Sequence, residues 1–142
     1  MTPTLTPAGD ADYAFTHDLT RDNMRGYVER FWGAWDAAVY RANYARTDNL
    51  ILRLGDERVG FVRLFAEGGR LVLEDLQVLP AYQNRGLGTW ALGQVEAIAR
   101  ERGLAAVRLR CFHTNPAYRL YRRYGFAVAE SGEHADWLER PG

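Results

Sequence analysis

One stretch limits the architecture more than any other. The apolar run "LVLEDLQVLP", residues 71–80, leads through "AYQNRGLGT" into "WALGQVEAIARERG". The run has strand length and is rich in aliphatic residues, whereas Leu87, Ala91, Val95 and Ile98 recur at helical spacing until Gly103 stops them. The seam between them has a physical reading. A helix N-terminus exposes unpaired N–H groups at the positive end of its dipole and so attracts phosphate. Gly86 and Gly88 would let a ligand reach those amides, Arg85 adds a cation with several donors, and Gln83 and Asn84 add neutral ones. The expectation is a phosphate or pyrophosphate cradle; the competing reading is that two glycines merely shape a turn into the helix.

The remaining elements follow from pattern and punctuation. "DADYAFTHDL" is expected as a first strand, and residues 19–46 as helix broken near Gly33, with Thr20 as its cap. "NLILRL" and "RVGFVRLF" read as strands joined by "GDE", and "EGGR" turns the chain into the run at 71–80. "LAAVRLRCF" is another strand, "NPAYRLYRRYGF" opens a helix with Asn and Pro and ends it at Gly, and "AVAESGEHADWLE" suggests a final hairpin. Only residues 3–9 look loosely ordered. A meander followed by alternating helices and strands predicts a mixed α/β sheet with helices on both faces, in a single domain over residues 1–142.

Composition removes several chemistries. Eighteen basic and eighteen acidic side chains cancel, which argues against a nucleic-acid binder driven by phosphate neutralisation. Every one of those bases is arginine, so a Walker lysine, Schiff-base chemistry and a lysine general base are excluded. The lone cysteine, Cys111, cannot form an intrachain disulfide; with His113 two residues on, it supplies too few ligands for a metal, and it reads as a small buried hydrophobe. The apolar runs are strand-sized and the N-terminus lacks a basic region followed by an apolar one, so the expectation is a cytoplasmic protein without a membrane partner.

"GLGTWA" fits the dinucleotide-binding pattern G-x-G-x-x-A, but "PAYQNR" separates the strand from Gly86, and Arg108 and Arg110 stand where an acid would bind the ribose. A different pairing of motifs is more specific. "LEDLQVLPAYQNRGLG" followed by "NPAYRLYRRYGF" resembles the GCN5-related N-acetyltransferase (GNAT) superfamily, on Val78-Leu79-Pro80, on residues 83–88, and on Asn115, Leu120-Tyr121 and Gly125-Phe126. The resemblance covers residues 70–130 well and implies a mostly antiparallel central sheet of six to seven strands. It also implies acetyl-CoA as co-substrate, with transfer of the acetyl group to a primary amine by direct attack in a ternary complex. Leu76, Gln77 and Val78 would pair with the pantetheine arm as an added strand. The loop Gln83, Asn84, Arg85, Gly86, Leu87, Gly88 and Thr89 would cradle the pyrophosphate, and Asn115 would contact the arm. Tyr121 would face the sulfur, although it also belongs to the stripe Ala117, Leu120, Tyr121 and Tyr124 and so suits a core position.

An alkyl amine arrives protonated at neutral pH and needs a base. Glu74 and Asp75 are the candidates, and Glu74 is favoured because the family uses acids at this strand position in some members. Only one of two successive residues should face the reaction centre unless a bulge intervenes, and both carboxylates could instead answer Arg63 or Arg108. Another branch of the family carries its base five residues before the Asn; here that residue is Arg110. For the acceptor, the aromatic stretch at 27–44 offers Trp32, Trp35 and Asp36, acid beside aromatic surface, against the plainer reading of an amphipathic helix face. A small-molecule amine, a peptide or protein amino group, and a non-catalytic acyl-CoA-binding domain are the competing functions. Homodimers are common in the family, and the aromatic surplus would permit one.

Overall fold

The computed structural model describes residues 2–141. One seven-stranded sheet runs in the order β1-β2-β3-β4-β5-β7-β6. Its strands are β1 (Pro3–Pro7), β2 (Asp48–Leu54), β3 (Glu57–Glu67), β4 (Arg70–Val78), β5 (Ala106–Phe112), β6 (Ala127–Ser131) and β7 (Ala135–Pro141). The helices are α1 (Tyr13–Phe31), α2 (Ala37–Tyr44), α3 (Leu87–Glu101) and α4 (Ala117–Tyr124). All neighbours pair antiparallel except β4 and β5, so the mixed, mostly antiparallel sheet expected from the sequence is what forms.

The N-terminal reading needs correcting twice. Residues 3–7 are not loose; they form an edge strand, with Leu5 opposite Leu52. Their two prolines are tolerated because an edge strand need not donate on both sides. The expected strand at 10–19 is instead a short 3₁₀ turn, Asp10–Asp12, running into α1. Phe15 and Leu19 are one helical turn apart and pack against Ile51 and Phe61 of the sheet. Thr20 does not cap: it lies inside α1, where its hydroxyl donates to the Thr16 carbonyl at 2.8 Å. The break near Gly33 does occur, and Asp36 caps α2 by accepting from the amides of Ala38 and Val39.

The larger core lies on the opposite face. Val62, Leu64, Leu71, Leu73, Val107 and Leu109 of the strands meet Ala91, Leu92 and Val95 of α3 and Tyr121 of α4. Each aliphatic side chain buried this fully contributes about 1.5–3 kcal/mol before entropy is counted. Helices thus cover both faces, α1 on one and α3 with α4 on the other.

Candidate active site

The site begins with a fork in the sheet. β4 and β5 pair in parallel over only four residues each, from Arg70 with Ala106 to Leu73 with Leu109. Beyond that, β4 continues paired to β3 alone, and β5 to β7 alone. The cause is visible in the register of β3 and β4: Arg63 faces Asp75 and Leu64 faces Leu73, so Glu74 is an extra, bulged residue. A bulge bends its strand and increases local twist, here at the point where β4 leaves β5. The stretch Leu76, Gln77 and Val78 is therefore paired to β3 on one side and has no strand partner on the side facing β5. Gly60 brings β3 against this stretch; a Cβ there would lie 2.4 Å from the Gln77 carbonyl oxygen.

The loop after β4 is built to expose amides. Gln83 donates its side-chain amide to the Val78 carbonyl at 3.0 Å, beside a second donor, Asn23, at 3.2 Å. Asn84 and Gly86 both take the left-handed conformation, with φ of 62° and 82°, which for asparagine is tolerated and for glycine is free of strain. The first amide of the helix entry to find a carbonyl is that of Trp90, on Gly86. Leu87, Gly88 and Thr89 thus present theirs at the start of α3. Arg85 lies exposed in the same loop, its guanidinium 5.3 Å from the Tyr82 ring centroid. Gly88 has a separate reason to lack a side chain: a Cβ would meet Leu120 of α4 at 2.9 Å. Part of what approaches this backbone is the neighbouring helix.

The bulge sorts the two adjacent carboxylates. Asp75 is held by Arg63, with Nη2 2.7 Å from Oδ2 and Nε donating over the same distance, and by the Gln77 amide at 3.1 Å. Arg63 is only 4% exposed, lies against the Tyr40 ring, and leaves Nη1 without a partner. Glu74 makes no hydrogen bond or ion pair among the described residues. Its side chain is exposed to solvent, yet the protein packed around it desolvates the carboxylate and raises its pKa above the ordinary glutamate value. Asp75 pushes it up further, and Arg63 and Arg110 pull it back.

Tyr121 lies on the other side of the fork, 7% exposed, edge-on to Phe126. Burial raises its pKa, so the phenol stays protonated, and its hydroxyl has no hydrogen-bond partner among the described residues. Cys111 is buried and its thiol is pushed up to about 12 by burial, which leaves it inert as a nucleophile. Asn115 accepts from the Ala117 amide at 3.0 Å, placing it at the entry of α4. Sequence reasoning missed the group that braces this end: Asp136 of β7 accepts from Tyr118 at 2.6 Å and pairs with His113 at 2.8 Å. Those contacts hold its carboxyl below the usual aspartate range, Tyr118 contributing most. Only the strand pairing of Cys111 with Asp136 brings these residues together, and no local motif could have shown it.

The aromatic stretch divides. Trp32 lies half-exposed over Phe112, with ring centroids 4.3 Å apart, and the Arg110 guanidinium lies over the Trp32 ring, 4.3 Å from its centroid. Trp35 instead donates to His17 and packs on Tyr40, while the Asp36 carboxylate is occupied by the cap of α2. Among the described residues no group of His, Cys, Asp and Glu could hold a metal ion, and no helix is long and apolar enough to cross a membrane.

Comparison with known proteins gives this geometry a context. Streptothricin acetyltransferase of Streptomyces lavendulae is 34% identical over 84 residues, covering 51% of this chain and 44% of that protein. The chain thus spans about half the length of the curated relative it matches. The PaiA N-acetyltransferase of Thermoplasma acidophilum, solved in complex with coenzyme A, has the same fold with a TM-score of 0.79, at 16% identity over 100% of both chains. Nourseothricin acetyltransferase gives a TM-score of 0.61 at 27% identity, over 67% of this chain and 65% of its own. A model of the acetyltransferase (GNAT) family matches residues 13–126, which hold the bulge, the fork, the amide-bearing loop and α4. The chain belongs to the acetyltransferase (GNAT) family.

Proposed function

We propose that the chain is an acetyl-CoA-dependent N-acetyltransferase that moves the acetyl group to a primary amine of a small molecule by direct attack in a ternary complex. The observation that carries the reading is the fork: an unpaired β4 edge runs straight into a loop of exposed amides with Arg85 beside them. A pantetheine arm matches an unpaired strand edge, and a pyrophosphate matches a helix N-terminus with a guanidinium. Leu76, Gln77 and Val78 would hold the arm, residues 83–89 the pyrophosphate, and Asn115 the arm's far side.

The amine nitrogen adds to the thioester carbonyl carbon, the C–S bond then breaks, and the proton the acylated nitrogen sheds passes to the departing coenzyme A sulfur. Glu74 takes the ammonium proton, directly or through a water, because it is the carboxylate at the fork without a fixed partner. Asp75 is committed to Arg63 and serves to position β4. An amide of the β4 edge meets the oxyanion. Tyr121 acts as a hydrogen-bond donor to the leaving sulfur; with its pKa raised by burial it is too weak an acid to surrender its proton outright to a thiolate. That two of the three proteins named above are called streptothricin and nourseothricin acetyltransferases supports a small-molecule acceptor over a protein one.

The test is thiol release from acetyl-CoA against polyamines, amino acids, aminoglycosides and short peptides, with acetyl-CoA binding measured by calorimetry. Release with a small amine is the expected result. Binding without release from any acceptor would favour an acyl-CoA-binding domain, and no binding would overturn the reading of the fork.

A further inference from the structure

Arg110 stands apart from the other arginines of this sheet. Arg63, Arg70, Arg108 and Arg140 each hold a carboxylate, on Asp75, Glu139, Glu130 with Glu139, and Glu96 respectively. Arg110 holds none among the described residues. Its guanidinium instead lies over the Trp32 ring at 4.3 Å and 5.7 Å from the Trp137 centroid, and its charge reaches Glu74. It is one residue past the last parallel pair, Leu73 with Leu109, and Glu74 is one residue past the same pair on the other strand. The two side chains therefore flank the mouth of the fork. On the β5 side a cleft of about 320 Å³ opens, lined by Trp32, Arg110, Trp137 and the hairpin residues 130–135.

We propose that the acceptor is a small amino acid whose carboxylate is held by Arg110 while its amino group faces the mouth of the fork. The proposal rests on the acetyltransferase reading above and adds the substrate class. Two indole faces fix the guanidinium, so a carboxylate meets a preorganised, bidentate donor rather than a mobile side chain. Glu74 and Arg110 each stand one residue past the last pair, where the strands have only begun to part from a spacing of about 4.8 Å, so only a few bonds separate the amine from the acid. An α- or β-amino acid satisfies that spacing, and the cleft volume is at the small end for ligand sites. The acidic residues of the hairpin do not neutralise Arg110: Glu130 is tied to Arg108, and the Glu133 side chain is 87% exposed beside His134. A polycationic acceptor would meet the Arg110 charge at the point where this one finds its partner.

The experiment uses matched acceptors, an amino acid, its carboxamide and its decarboxylated amine, in aliphatic and aromatic series, with the wild-type chain, Arg110→Gln and Arg110→Lys. The expected result is a preference of about 10- to 100-fold in kcat/KM for the acid over its carboxamide, the size of one charge-assisted contact and carried by KM. Arg110→Gln should collapse that ratio, and Arg110→Lys should retain part of it. Thermal melts of both variants check that the fold is kept. A carboxamide or amine used as well as the acid, or a preference that survives Arg110→Gln, overturns the proposal. If acetyl-CoA binds but no member of any set is acetylated, the amino-acid acceptor is refuted and the donor site stands. If acetyl-CoA does not bind, the acetyltransferase reading fails, and this proposal with it.

Discussion

Asp75→Asn is the substitution that most directly tests how the site is braced. It removes a charge and almost nothing else, and what remains is Arg63, 4% exposed, with one guanidinium nitrogen already lacking a partner. Nε and Nη2 both point at the same Asp75 oxygen, at 2.7 Å, so the pair is close and largely dry. Breaking such a pair from one side costs about 3–5 kcal/mol, because a buried charge is left uncompensated. For 142 residues the unfolding entropy near the midpoint is about 0.3 kcal/mol/K, so Tm should fall by about 10–17 °C. Glu74 already interacts with the Arg63 charge and can act as a substitute counter-ion, which places the expectation at the lower end. Replacing both partners by apolar residues, Arg63→Met with Asp75→Leu, should recover most of the loss, since the desolvation penalty disappears with the charges. Urea denaturation and scanning calorimetry at neutral pH read both variants. A Tm shift of less than about 3 °C, under 1 kcal/mol on the same scale, would falsify the argument: water would be reaching the guanidinium in solution.

Substitutions at three other positions have expected outcomes. Glu74 titrates above the usual 4.5 because of burial and Asp75; a base must be ionised, so kcat/KM should fall as pH drops through that raised value, and Glu74→Gln should abolish this limb with about a 10²-fold loss of rate. Because its folded pKa lies above the unfolded one, ionised Glu74 costs stability above that window and the cost vanishes as pH falls through it; Glu74→Gln should therefore raise Tm at pH 7, and a lowered Tm would contradict the assignment. Tyr121→Phe should reduce thiol release about 10- to 100-fold, the worth of a hydrogen bond to a charged sulfur, with calorimetric acetyl-CoA affinity nearly kept; unchanged turnover would remove Tyr121 from the chemistry. Gly60→Ala should cost about 1–3 kcal/mol in a thermal melt, since its Cβ would sit 2.4 Å from the Gln77 carbonyl and force β3 and β4 apart; a neutral melt would show that the strands give way without cost.

What could be read from the chain was what local chemistry announces. Gly103 and Gly125 end helices in the left-handed conformation, and Asn115 and Pro116 open α4; each acts on its own neighbours, so α3, α4 and the loop between β4 and α3 were legible. Residues 3–7 were not, because an edge strand is defined by its partner β2 and not by its own five residues. α1 was partly misread since Thr16 and Thr20, poor helix formers in isolation, satisfy their hydroxyls on helix carbonyls. The bulge at Glu74 has no glycine or proline to mark it; it appears only when β3 is laid against β4. Asp136 and Trp137 reach the site through antiparallel pairing with Cys111 and Arg110 across some twenty-five residues of chain. Pairings of that range lie outside any reading of motifs.

The short parallel seam of the sheet has a mechanical consequence. It joins two antiparallel half-sheets, β1 to β4 and β5 to β7, through four residue pairs alone. Glu74 rides on one half and Arg110 on the other, so the separation of the two backbone positions is set by the angle at which the halves meet. Leu71, Leu73, Val107 and Leu109 are the pivot of that lever. Exchanging methyl groups among these four would retune the reach between the two side chains from inside the core, without altering any residue at the cleft surface.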